Sequence, residues 1–280
     1  MSEQAARRLG VHRFVYLFVV PIVVVSGFPI YWMVNTALTS EEALFSRPQD
    51  LFPTAFHLEE LSSQLSRVPV LGMLGNSALI AVGTAALSIA LALLAAYALS
   101  RFRFYGKGVA AFLLFATQMV PAGIYLIPIY TMLLAIGLMD NMWGLVLVNA
   151  MFALPVSTFI IKTGLDAIPV EIDEAARIDN CPRFGILTTV LVPLVLPSIA
   201  SAAVLAFFLA WGELMFAATY LSTQSSWPAA VWLSVLTTDP AVGLPAVMAV
   251  SVVYSLPAIA FFHLVQRRIV SGLTAGAVKG

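Results

Sequence analysis

Charge is scarce in this sequence. Its 280 residues include 14 Lys and Arg and 14 Asp and Glu, 10% in all, and 61% of the residues are hydrophobic. A soluble domain carries about 25% charged residues, so this balance excludes a soluble enzyme. Net charge is +0, which removes the basic excess that phosphate binding needs and excludes nucleic acid as a partner. A single cysteine, Cys181, allows neither an intramolecular disulfide nor a multi-thiolate metal site. Zinc-ligand spacings, a Gly-x-Ser-x-Gly elbow and Cys/His pairs are missing, so no catalytic residue and no metal ligand is assigned. The P-loop pattern is missing too. Gly106-Lys107-Gly108 is the nearest match, in a loop too short for a nucleotide fold, so the chain is expected to bind no cofactor itself. Neither an internal repeat nor a low-complexity tract divides the chain, which reads as one domain over residues 1–280.

The uncharged stretches carry the architecture. A run of about 20 apolar residues at about 1.5 Å each crosses about 30 Å of hydrocarbon. Uncharged gaps run from Phe14 to Ser40, Val68 to Ser100, Gly108 to Met139, Asn141 to Ile161, Phe184 to Gly212, Leu214 to Thr238 and Pro240 to Gln266. Ser198–Leu221 is apolar apart from Glu213, so the fifth and sixth gaps contribute one span. The expectation is all-α, with six transmembrane helices at about 14–38, 73–99, 109–136, 142–162, 195–221 and 244–265. The first of these is too long for a signal peptide and reads as a retained span. Pro21, Pro29, Pro121, Pro128 and Pro155 are expected to kink or interrupt helices, and Trp32, Trp143 and Trp227 to sit at the membrane surfaces.

Basic residues set the orientation, because short cytoplasmic loops keep an excess of Lys and Arg. With the N-terminus inside, Arg7, Arg8, Arg13, Arg101, Arg103, Lys107, Lys162, Arg177, Arg183, Arg267, Arg268 and Lys279 are cytoplasmic. Arg47 and Arg67 alone fall outside, in an extracytoplasmic loop over 39–71. Both termini are then cytoplasmic, as are the loop 163–193 and the tail 266–280.

That cytoplasmic loop contains Pro169-Val170-Glu171-Ile172-Asp173-Glu174-Ala175-Ala176-Arg177-Ile178-Asp179-Asn180-Cys181-Pro182. It reads as a short capped helix. Pro169 suits the first helical position, acids crowd the first turn, Arg177 lies nearer the negative end, Asn180 is a left-handed terminator and Pro182 blocks continuation. A helix so short is marginal in water and should be docked on something, either a protein or the bilayer surface. Ala175 and Ala176 permit close approach, with Glu174, Arg177 and Asp179 as polar contacts.

The run Glu174-Ala175-Ala176, three residues, Asn180, nine residues, then Val190-Leu191-Val192-Pro193 resembles the cytoplasmic EAA loop of ABC importer membrane subunits, with Asn180 where the pattern usually has glycine. Asn76-Ser77, Ala95-Ala96-Tyr97-Ala98-Leu99-Ser100-Arg101, Gly137-Leu138 and Gly272–Gly280 are similar to maltose-type carbohydrate permeases. The resemblance implies a type I importer fold. It implies a membrane subunit that forms half of the pathway of an ATP-driven, binding-protein-dependent importer for a sugar, oligosaccharide or polyol in a bacterial or archaeal cytoplasmic membrane. The partners implied are membrane lipid, a second homologous permease, two ATPase subunits that carry the ATP and Mg, and an extracytoplasmic substrate-binding protein or lipoprotein. Glu174, Ala175, Ala176, Arg177, Asp179 and Asn180 would contact the ATPase, as would Gly272, Gly276 and Lys279 of the tail unless that tail is disordered.

Glu213 is costly at membrane depth and must face protein. Either it lines the substrate pathway beside Trp211, or it hydrogen-bonds a partner permease or its own backbone. Two other function classes remain open to the sequence: a stand-alone secondary carrier or channel for a small polar solute, and a membrane scaffold without transport. Which sugar or polyol is carried, and by which binding protein, is not written in these residues.

Overall fold

The computed structural model describes residues 3–45, 52, 62, 65, 66 and 68–277, with side chains between Tyr16 and Gln266. Among them are helices and no strand, as the sequence predicts. The helices are α1 (Glu3–Leu38), α2 (Glu41–Phe45), α3 (Val70–Arg101), α4 (Lys107–Ala116), α5 (Leu126–Ala135), α6 (Met142–Asp166) and α7 (Val170–Ile178), then α8 (Arg183–Leu194), α9 (Leu196–Trp211), α10 (Met215–Tyr220), α11 (Ala229–Thr238) and α12 (Leu244–Ala277).

Four uninterrupted helices are long and apolar enough to cross a membrane: Tyr16–Leu38 of α1, α3, α6 and Leu244–Gln266 of α12. Two further apolar helix pairs are sharply bent, which gives up to six spans when each pair is counted as one. Lys107–Met119 and Ala122–Ala135 meet at 98°. Val120 and Pro121 are extended there, because proline removes a backbone donor and pushes its predecessor out of helix. Arg183–Leu194 and Leu196–Trp211 meet at 82° across Val195, which has Pro193 and Pro197 on either side. The six residues Ile186–Leu191 inside α8 are π-helical.

The fifth span departs from the expectation of one helix over 195–221. It bends at Val195, stops at Trp211, turns through Gly212, Glu213 and Leu214, and restarts as α10. The break places Glu213 just ahead of α10, and a carboxylate favours a helix start over a helix middle. The apolar gap up to Thr238 holds a further short helix, α11, that the sequence reading did not separate.

The chain packs as two compact units, Met1–Val70 with Leu233–Leu256, and Leu71–Trp232 with Pro257–Gly280. In the first, Gly243 leaves room for Glu41, since a Cβ there would stand 2.5 Å from Glu41 Oε2. The second is built on small residues. Along α3, Ser77, Ala81, Thr84, Ser88, Ala92 and Ala96 form a buried stripe at helical spacing. Such stripes let membrane helices approach closely where no hydrophobic driving force separates helix from lipid. The core of this unit joins α3, α6, α8 and α9 through residues such as Ala92, Tyr97, Ile161, Leu165, Leu187 and Leu191. Ile168, Ala176 and Cys181 pack against that core, so it lies directly beneath α7.

Candidate functional site

The predicted short helix exists as α7, and its ends are built as its sequence dictates. Pro169 stands just before the helix rather than inside it: its ψ is 140°, its carbonyl accepts the Ile172 amide at 3.3 Å, and Val170 is the first helical residue. At the other end Asn180 has φ of 56°, the left-handed conformation expected of it. The Cys181 amide donates to Ala176 O at 3.0 Å and the Asn180 amide to Arg177 O at 3.0 Å. These paired bonds form the Schellman closure of a helix, which satisfies carbonyls that would otherwise be orphaned. Asn has no more than a modest penalty at positive φ, so it stands in for glycine here.

One face of α7 turns inward and the rest outward. Asp173 is buried, whereas Glu174, Ala175, Arg177, Asp179 and Asn180 are exposed and Ala176 is half-buried. Ile178 is 81% exposed and Phe184, just beyond the turn, is 69% exposed. The proposed contact residues therefore share one outward surface with two uncovered apolar side chains.

Two residues outside that set hold the helix in place. Arg101, the last residue of α3, puts Nε 2.7 Å from Asp173 Oδ2, with both side chains almost fully buried. Its Nη2 also donates to Ile168 O at 3.0 Å. Ser100 Oγ donates to Asp166 Oδ1 at 2.6 Å, tying the ends of α3 and α6 together, and Lys162 Nζ, one turn back on α6, contacts Asp166 Oδ2 at 2.5 Å. Phe102 continues the corner, edge-on to Tyr97 and under the Arg183 guanidinium. Seventy-two positions separate Arg101 from Asp173, and no local pattern in the sequence pairs them.

Glu213 caps α10. Its Oε1 accepts the Phe216 amide at 2.6 Å and its Oε2 the Ala217 amide at 2.9 Å, so both oxygens are engaged by its own backbone. Trp211 is buried and stacks on Phe207, which in turn stacks on Phe261. Of the tail positions, Gly272 and Gly276 continue the backbone of α12, while Lys279 lies outside the described residues.

The opposite end of the same unit is laced by backbone bonds. Asn76 Nδ2 donates to Ser225 O at 2.8 Å and Trp227 O at 3.1 Å, and Ser77 Oγ accepts the Ala229 amide at 2.8 Å. Asp140 accepts the amides of Ser222 and Thr223 and the Thr223 hydroxyl. The Thr223 hydroxyl, with these amides, holds the Asp140 carboxyl below its ordinary range.

Comparison with known proteins agrees with this layout. The family model described as "Binding-protein-dependent transport system inner membrane component" matches residues 88–274. The sulfoquinovosyl glycerol transport system permease protein SmoH of Agrobacterium fabrum is 33% identical over 260 residues, 92% of this chain and 91% of that protein. The inner membrane ABC transporter permease protein YcjP of Escherichia coli is 30% identical over 281 residues, 100% and 99% of the two chains. A bacterial ABC transporter structure, described as involved in the import of the acidic polysaccharide alginate, contains a chain of the same fold. The TM-score is 0.76 at 22% identity, covering 95% of this chain and 98% of that one.

Proposed function

From the premise that this chain belongs to the binding-protein-dependent transport system inner membrane components, we propose that it forms half of a carbohydrate pathway driven through α7. It is a multi-pass protein of the cytoplasmic membrane. The chain itself is non-catalytic in this reading. ATP and Mg belong to two ATPase subunits, a second homologous permease completes the pathway, and an extracytoplasmic binding protein or lipoprotein delivers the substrate. Relatives named for sulfoquinovosyl glycerol, diacetylchitobiose, galactooligosaccharides, maltodextrin and trehalose support a saccharide or glycoside as cargo. With the basic loops inside, α7 and both termini face the cytoplasm.

The observation that carries the reading is the outward surface of α7. A nine-residue helix is too short to persist alone in water, yet this one is capped, clamped and left with Ile178 uncovered beside Glu174 and Ala175. An apolar side chain in that setting marks a protein contact. The adjoining charges of Glu174, Arg177 and Asp179 fit a polar rim better than they fit lipid. The tail residues Gly272, Gly276 and Lys279 are proposed as a second contact with the ATPase. For Glu213 the capping role is preferred to a place in the pathway.

Single cysteines at 174, 175, 177 and 179, crosslinked in native membranes, should capture an ATP-hydrolysing subunit. Glu174→Arg should leave membrane insertion intact and abolish transport-coupled ATP hydrolysis. Failure to capture such a subunit from all four positions overturns the proposal.

A further inference from the structure

We propose that Arg101 is a positioning residue that fastens α7 to α3 at two points, so that the pair moves as one rigid lever. The inference rests on the reading of α7 as the site of drive. It adds which membrane helix that drive reaches first besides the helices joined to α7 through the chain.

Covalently, α7 follows α6 through Ala167, Ile168 and Pro169 and leads into α8 through the Asn180 turn. Nothing in that connectivity involves α3. The guanidinium of Arg101 supplies the missing attachment, and it does so twice: to the Asp173 carboxylate in the first turn of α7 and to the Ile168 carbonyl on the entering strand of backbone. One contact would leave a pivot. An ion contact from Nε and a hydrogen bond from Nη2 of one planar group limit rotation as well as distance, which an ammonium on a flexible stem does not do.

Stability is a poor explanation for the arrangement. A buried ion pair gains little over an apolar pair of the same volume, because both charges must leave water. Here Arg101 Nε and Asp173 Oδ1 are also buried without a hydrogen-bond partner among the described residues, Nε meeting Asp173 Oδ2 as an ion contact, which adds to the cost. What the pair supplies is geometry. The aromatic corner of Tyr97 and Phe102 and the buried core beneath leave little room for α7 to slide on α3 once that geometry is set.

The test places spin labels at Val82 of α3 and Glu171 of α7, both exposed, after Cys181→Ser, in the complete transport complex in nanodiscs. Distances are read without nucleotide and with MgATP plus vanadate. The clamp predicts one narrow distance, the same in both states. In R101M/D173L, which keeps apolar volume but no fork, the distribution becomes at least about twofold wider and shifts with nucleotide, because both attachments are gone and α7 regains rotational freedom on α3. Arg101→Lys also broadens it, although the charge is kept. A control pair at Val82 and Leu205 keeps its wild-type distance in every variant, separating loss of the clamp from loss of packing. Either a wild-type distance that changes with MgATP plus vanadate, or an R101M/D173L distribution that matches wild type, overturns the clamp. If no nucleotide-binding subunit accompanies the chain, the reading of α7 as the site of drive has failed. The width measured on the purified chain then still decides the clamp by the same comparison of wild type with R101M/D173L.

Discussion

A Cβ at Gly164 would stand 2.3 Å from Ser198 Oγ and 2.8 Å from Ser198 Cβ, so α6 and α9 touch with no space between them at that level. The two helices make the most extensive contact among the described elements. Gly164→Ala should destabilise the protein by about 1–3 kcal/mol through overpacking. Thermal unfolding in detergent measures it, and Ser198→Gly added to Gly164→Ala should recover most of the loss. An unchanged melting temperature for Gly164→Ala alone would show that the helices can part freely.

The positive φ of Asn180 makes a second case. Asn180→Gly should be neutral or slightly stabilising, because glycine meets no Cβ penalty there. Asn180→Val should cost about 1–2 kcal/mol and loosen the turn. Hydrogen exchange at the Cys181 amide, bonded to Ala176 O, reports the closure directly: protection should be kept in the glycine variant and fall in the valine variant.

Glu213 tests the distinction between cap and pathway. Removing the cap with Glu213→Ala should cost about 0.5–2 kcal/mol and lower the yield of folded protein. Glu213→Gln keeps one acceptor and should fall between the alanine variant and wild type. Substrate preference, once a transported saccharide is in hand, should be the same in all three proteins. A changed preference in Glu213→Gln would return the residue to the pathway.

Asp140 gives a pH dependence with a definite sign. Its carboxyl is held below the ordinary value of 3.8 by the Thr223 hydroxyl and the Thr223 and Ser222 amides. Its contribution to stability is therefore complete above that ordinary value and is lost as pH falls through the lowered one. The stability gap between wild type and Asp140→Asn should stay constant from neutral pH down to about 4 and shrink below it. Melting curves of both proteins across that range check the prediction. A gap that closes above pH 5 would mean the carboxylate is not held by these donors.

Much of this molecule is readable in one dimension because its signals are local. The spans at 73–99 and 142–162 appear as α3 and α6 within a few residues, since a long apolar run in lipid must satisfy its own backbone and forms helix. The frame of α7 is equally local: acids at its start, Asn180 at positive φ, Pro182 beyond. Other features needed neighbours. The restart at α10 depends on Glu213 finding two amides ahead of it, and hydropathy, which averages over a window, passes across that break as though it were continuous. The bend at Val195 sits between Pro193 at the end of α8 and Pro197 at the start of α9, a place where proline is tolerated, so no single residue announces it.

The amino-acid sequence by itself determined that this is an all-helical membrane protein with a short capped helix between two apolar stretches, because hydrophobic length, proline placement and capping act over short distances along the chain. Tertiary structure alone decided what holds that helix and which way its faces turn. Arg101 meets Asp173 and Ile168 only after three helices have packed, and burial, which makes the pair rigid, is a property of the surrounding core rather than of either residue.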